Sequence, residues 1–121
     1  NPFADYTVRL YNAAVAEVTS VRYIKVGDGQ VSDEPNVLTA PIGEGEIFSI
    51  RELPAGNYQF QVSFSQGNQV VDVLLFELNV NQDRTVSFVF DTLAADYVAL
   101  IDPFLNKGME VDPEAPLYLA E

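Results

Sequence analysis

The side chains of this chain that could do chemistry are almost all carboxylates. Of 121 residues, 18 are Asp or Glu, and His, Cys and Trp are absent. Without His or Cys, neither a Ser–His nor a Cys–His nucleophile can be assembled, and no thiolate metal site exists. Lys25 and Lys107 are the only lysines, and neither has a Ser at a motif spacing for Ser–Lys chemistry. No G-x-S-x-G elbow occurs. Gly43-Glu44-Gly45 leads through Glu46 into a strand-like run rather than a helix N-terminus, so it does not predict a phosphate-cradling loop. Acid–base catalysis would fall to carboxylates of raised pKa in a cleft. The acids here sit mainly in turn-like segments and near the C-terminus, where water keeps them ordinary, and catalysis is not expected.

Two binding chemistries fit better. Carboxylate oxygens suit calcium, and Asp28, Asp33 and Glu34 share one polar loop that could fold back and gather them. Their spacing is not that of an EF-hand. The competing reading makes Gly27-Asp28-Gly29 a plain turn with its acids solvated. A second set, Asp102, Glu110 and Asp112, is weaker. Carbohydrate binding would need flat, exposed rings, and Tyr11 and Tyr23 are the best candidates, with Tyr11 sharing a strand face with Thr7 and Arg9. The competing reading packs both rings at the margin of the core with their hydroxyls outward.

Charge narrows the partners. The net charge is −12, and the 6 bases (Arg9, Arg22, Lys25, Arg51, Arg84 and Lys107) are scattered singly. Phosphate backbones and anionic membranes require clustered bases, so nucleic acid is not an expected partner. A protein or a cell-surface glycan is. No apolar run approaches the ~18 residues of a membrane span. The chain begins at Asn1-Pro2-Phe3 without an initiating Met, consistent with a mature exported protein or an excised domain.

The elements that would position these groups are strands. The clearest follows Leu53-Pro54-Ala55-Gly56-Asn57-Tyr58: Tyr58, Phe60, Val62 and Phe64 alternate with Gln59, Gln61, Ser63 and Ser65. A period of two with one apolar and one polar face belongs to an antiparallel sheet packed on one side. Residues 6–12 and 18–26 predict two earlier strands. The second has apolar residues on both faces, as a central strand buried on both sides at one end would. Val37-Leu38 is a short strand at most, and 47–51 another strand. Gln66-Gly67-Asn68 predicts a hairpin turn. Val71 to Val80 is too long and too apolar for a half-exposed strand and should contain a bulge or bend. Val86, Phe88 and Phe90 should point inward from a last strand. The expected fold is therefore all-β, an antiparallel Greek-key sandwich of about seven strands.

Residues 1–91 would form this sandwich and 92–121 an acidic extension, packed on it or linking to a missing region. That extension, counted from Asp91, carries seven acids and one base. Leu93, Tyr97, Leu100 and Ile101 fall at helical spacing after a potential cap at Thr92, and Pro103 would end a short helix. Beyond it the chain should be extended, with Phe104, Met109, Leu117 and Tyr118 available to pack.

The Leu53–Tyr58 corner resembles the "L-P-A-G-x-Y" corner of bacterial surface modules of the transthyretin-like and carboxypeptidase-regulatory-like kind. Its Leu53, Gly56 and Tyr58 also match the spacing of the tyrosine corner of Ig-like sandwiches, which implies that the Tyr58 hydroxyl bonds upstream backbone. The resemblance covers about residues 5 to 91 and implies a non-catalytic module that acts as spacer, adhesion unit or ligand-binding accessory. Pilin-type relatives can carry a Lys–Asn crosslink between first and last strands, but here the first strand has Arg9 and no Lys. The expected function is protein interaction or surface architecture in an exported, periplasmic or cell-surface protein, with loops near 27–35 and 41–46 facing a partner. A calcium-assisted carbohydrate-binding module and a subunit that assembles through its C-terminal tail are the alternatives.

Overall fold

The alternation that starts at Tyr58 becomes the central strand of a three-stranded sheet. The structure, a computed structural model, describes residues 5–102. Strands in chain order are β1 (Asp5–Asn12), β2 (Glu17–Lys25), β3 (Ile47–Pro54), β4 (Gly56–Gln66), β5 (Gln69–Val80), β6 (Arg84–Asp91) and β7 (Asp96–Ile101). A single 3-10 turn, Val31–Asp33, lies between β2 and β3. The strands form two sheets, β3-β1-β6-β7 and β2-β4-β5. Every pairing is antiparallel except β1 with β6, which run parallel, so the larger sheet is mixed rather than wholly antiparallel. Among the described residues no helix is long and apolar enough to cross a membrane.

The inward faces of the two sheets make one core. Val8, Leu10, Val86 and Phe88 from the mixed sheet meet Val18, Val21, Phe60, Val62 and Phe64 from the other, all fully buried. Aromatic rings run through it. Tyr23, Phe60 and Phe76 stack across β2, β4 and β5 at centroid distances of 5.4 and 5.1 Å. Phe88 then meets both Phe76 and Phe64 edge-on from the opposite sheet, and Phe64 stacks on Tyr97 at 4.3 Å. Such contacts add to the area they bury.

Local chemistry fixes the joints. The Tyr58 hydroxyl donates to the Pro54 carbonyl at 2.7 Å, closing the tyrosine corner. Gly67 and Asn68 both take positive φ, 57° and 64°, the geometry of a type I′ hairpin turn. Val71 is the extra residue of a bulge in β5, since Ser65 pairs with Val70 and Phe64 with Asp72. The irregularity expected in this long strand therefore lies at its start.

Three expectations change. Strand β2 is not central but an edge strand, and its two-faced apolarity has a local cause. Thr19 is an extra residue opposite β4, and this shifts the side-chain phase so that both Val18 and Val21 point inward. Val37 and Leu38 lie outside any strand yet pack against the core. The predicted helix at 92–101 is a turn followed by β7. The Asp91 carboxylate accepts the N–H groups of Leu93 and Ala94, Ala95 takes φ of 55°, and Asp96 to Ile101 pair with β6. Tyr97 and Ala99 have a period of two as well as helical neighbours, and an open sheet edge selected the former. The sheet thus continues past Asp91. The extended tail, with Phe104, Met109, Leu117 and Tyr118, lies outside the described residues.

Candidate interaction surface

The acids proposed for calcium are held apart by their own turns. The Asp28 N–H donates to Lys25 O, the Asp33 N–H to Gln30 O and the Glu34 N–H to Val31 O, each within about 3.1 Å or less. Asp33 closes the 3-10 turn, while Glu34 follows it and offers its carbonyl to the Arg22 guanidinium. Asp28 and Asp33 stay exposed. No group of three or more metal-ligating side chains gathers anywhere among the described residues, so the structure does not bring Asp28, Asp33 and Glu34 together as a ligand set. Of the second set, Asp102 is committed to Arg84, and Glu110 and Asp112 lie outside the described residues.

The tyrosines are not a platform either. Tyr11, on β1 between β3 and β6, is only 7% exposed. Tyr23 is half-buried and occupied on its ring by Phe60 and Tyr58. Burial pushes its hydroxyl pKa up, and burial followed by the nearby Tyr23, Asp28 and Asp5 charges does the same to Tyr58. The two candidate rings also belong to different sheets. Stacking on a sugar requires an exposed face that Tyr11 does not have.

The expected partner-facing loop at 41–46 is instead tied down. Gly45 donates its N–H to the Asn12 carbonyl at 2.7 Å and Asn12 its N–H to Glu46 O at 3.0 Å. The Asn12 side chain, fully buried, donates to Ala16 O and Ile42 O and accepts the Ala14 N–H, all at 2.9 Å.

Among the described residues one sheet edge remains open. Edge strands expose unpaired backbone groups, which proteins blunt by shortness, charge, Pro, bulges or covering loops. β7 has 6 residues, and β3 carries Arg51, Glu52 and Pro54. β2 is covered by the segment before β3. Val37 donates its N–H to Val21 O, Val18 and Ile42 exchange backbone bonds, and Asn36 accepts the Val21 N–H at 2.9 Å. β5 has a bulge near its start and two acids, Asp72 and Glu77, but no covering segment among the described residues. It is the longest strand at 12 residues, with no Pro, Lys or Arg. Its outward face presents Val73 and Leu75, which are 47% and 56% exposed, and the bulged Val71 beside them is 46% exposed.

One end of β5 borders an open groove of about 550 Å³, lined by Val15, Val71, Phe90 and Tyr97 together with Asp72 and Asp96. Those two carboxyls, one from each sheet, adjoin at the seam. The neighbouring Asp72 carboxyl, by hydrogen bonding and then by its charge, raises the pKa of Asp96 above the ordinary Asp range, and the Tyr97 N–H works against it. Each acid also accepts the N–H of the residue after it, Val73 and Tyr97 respectively, at 2.9 Å.

Sequence reasoning missed this surface although the signal was present. The apolarity of Val71 to Val80 was explained by a bulge alone, whereas it also reflects a strand with apolar residues on both faces. Comparison with family models, with curated proteins and with solved structures returns no match to this chain.

Proposed function

We propose that this chain is a non-catalytic module of an exported or cell-surface protein, a Greek-key sandwich of the Ig-like or transthyretin-like kind that works by protein interaction. The observation that carries this reading is the contrast among sheet edges: among the described residues β5 alone combines length, the absence of Pro, of basic side chains and of a covering segment, and an exposed apolar stripe. Binding a partner would bury apolar area that folding leaves in water, at roughly 25 cal/mol per Å² before the costs of association. The rigid sandwich supplies the presentation, since its core orders β5 before any partner arrives.

The test is a pull-down from a cell-envelope extract with the wild-type chain and with Val73→Lys/Leu75→Lys. A protein retained by the wild type and lost by the variant is expected. An identical set retained by both would overturn the assignment to this edge, and retention of polysaccharide in place of protein would replace the reading with carbohydrate binding.

A further inference from the structure

Resting on that interaction reading, we infer that the outer edge of β5, which no described strand pairs, accepts an extended basic peptide strand. Its residues would alternate apolar and polar, and a Lys or Arg would stand opposite Glu77.

The cross-strand rows of the three-stranded sheet show why the ligand should be a strand beside β5 and not a surface lying flat on the sheet. Val73 pairs with Ser63, which pairs with Ser20. Leu75 pairs with Gln61 and then Arg22, and Glu77 pairs with Gln59 and then Ile24. Along these rows β4 is wholly polar, and Val73 and Leu75 are the outermost residues at the free edge. A flat apolar partner would have to desolvate Ser63 and Gln61 without pairing them. A strand added beside β5 would place its own side chains directly opposite Val73 and Leu75, at the separation of cross-strand neighbours, while its backbone used the outer N–H and C=O groups that no described strand pairs.

Charge selects the occupant. β5 carries Asp72 and Glu77 and no base, and Glu77 is exposed with no ion pair among the described residues. The chain as a whole has a net charge of −12. A second copy would bring the same uncompensated acids to the same edge, whereas a basic strand neutralises them. Beyond the bulged Val71 the outward face runs Val73, Leu75, Glu77, so the complementary pattern is alternating apolar residues and then a base. Asp72 holds the Val73 N–H at 2.9 Å and must yield it to the incoming carbonyl.

The experiment is an amide chemical-shift titration of the full chain with a synthetic peptide in which three Val alternate with Thr between terminal Lys residues. Lys at both ends lets the peptide satisfy Glu77 in either strand direction. A second peptide carries Glu in place of each Lys. Saturable shifts confined to residues 70–77 are expected with the Lys peptide, about tenfold weaker binding with the Glu peptide, and a reversal of that preference in Glu77→Lys. Leu75→Lys should weaken both. Thermal unfolding of each variant confirms the fold, since both substituted positions are exposed.

No saturable shift at millimolar peptide, or equal binding of both peptides that Glu77→Lys leaves equal, would overturn the inference. So would light scattering that finds the unliganded wild type dimeric and Leu75→Lys monomeric, because the edge would then belong to a second copy. In each of these cases the interaction reading is judged separately, by whether the envelope protein is lost with Val73→Lys/Leu75→Lys.

Discussion

The three-stranded sheet has two edges, and the chain treats them in opposite ways. At β2 the outer backbone is engaged by residues 36–42, through the Val37–Val21 and Val18–Ile42 bonds and the Asn36 side chain. At β5 no segment of the described residues is paired along the outside, and the strand turns Val71, Val73 and Leu75 to water. Covering β2 required a long connection between β2 and β3, with its ordering entropy offset by buried Val31 and Ile42 and by satisfied polar groups. An edge that could be protected at such a cost and another left apolar in the same sheet differ in use as well as in geometry. Folding explains the first, and association is the use proposed for the second.

The comparison breaks most completely at Asn12. Its side chain holds Ala14, Ala16 and Ile42 at once from a fully buried position, and Ile42 anchors the strap over β2. Asn12→Leu removes this partner from the Ala16 carbonyl and the Ala14 N–H, each costing about 1–3 kcal/mol, and leaves Ile42 O with the Val18 N–H alone, so a loss of about 2 kcal/mol or more is expected. Urea unfolding measures it. Hydrogen exchange should show the Val18 amide, which donates to Ile42 O at 3.0 Å, opening faster while amides in the β4–β5 ladder follow only the global loss.

A gentler break is Asn36→Ala. Asn36 accepts the N–H groups of Val21 and Leu38 at 2.9 and 3.1 Å and donates to Thr19 O at 3.2 Å, but it is exposed, so water replaces much of what is lost. About 1 kcal/mol is expected. The discriminating measurement is exchange at Val21, which should quicken by more than the drop in global stability allows. If Val21 opened only with the whole protein, the strap would be part of the core rather than a cover.

How much of this was legible in the chain follows from the range of the cause. The alternation of β4, the Tyr58 corner and the Gly67–Asn68 hairpin are set by neighbours in sequence, and they stand where the pattern puts them. β2 was misplaced to the centre of a sheet because one bulged residue, Thr19, imitates burial on both faces. The stretch after Asp91 satisfies helical and strand periods alike, and only the empty edge of β6 decides between them. Tyr11 is covered by strands distant in sequence, so its burial is invisible to a reading of β1 alone. Likewise Val71 to Val80 could be a strand buried on both faces or an edge with an exposed stripe. Strand order determines which, and no local pattern encodes strand order.

At the seam between the sheets, Asp96 sharpens the contrast through pH. Its folded pKa is raised, so protonation is favoured by folding. The stability it contributes is full below the ordinary Asp range and is lost as pH rises through the raised value. Asp96→Asn keeps an acceptor for the Tyr97 N–H and a donor for Asp72 without the second charge. The variant should match the wild type in acid and melt higher at neutral pH, by a small margin because the group is exposed. Melting curves that stay parallel from acid to neutral pH would show that the two acids do not share a proton.

The smallest effect on stability belongs to the edge itself, and the functional contrast rests on it. Val73 and Leu75 are about half exposed and face away from the core, so Val73→Lys and Leu75→Lys should each shift unfolding by no more than about 0.5 kcal/mol. Lys on an edge strand also opposes pairing with another chain, so the same substitutions should remove whatever associates there. A residue that contributes to folding loses stability and binding together when charged, whereas one that serves association loses binding alone. Equilibrium unfolding in urea separates the two. A loss comparable to that of Asn12→Leu would mean that the stripe is covered within the chain's own fold, and would make β5 a second protected edge rather than the open one.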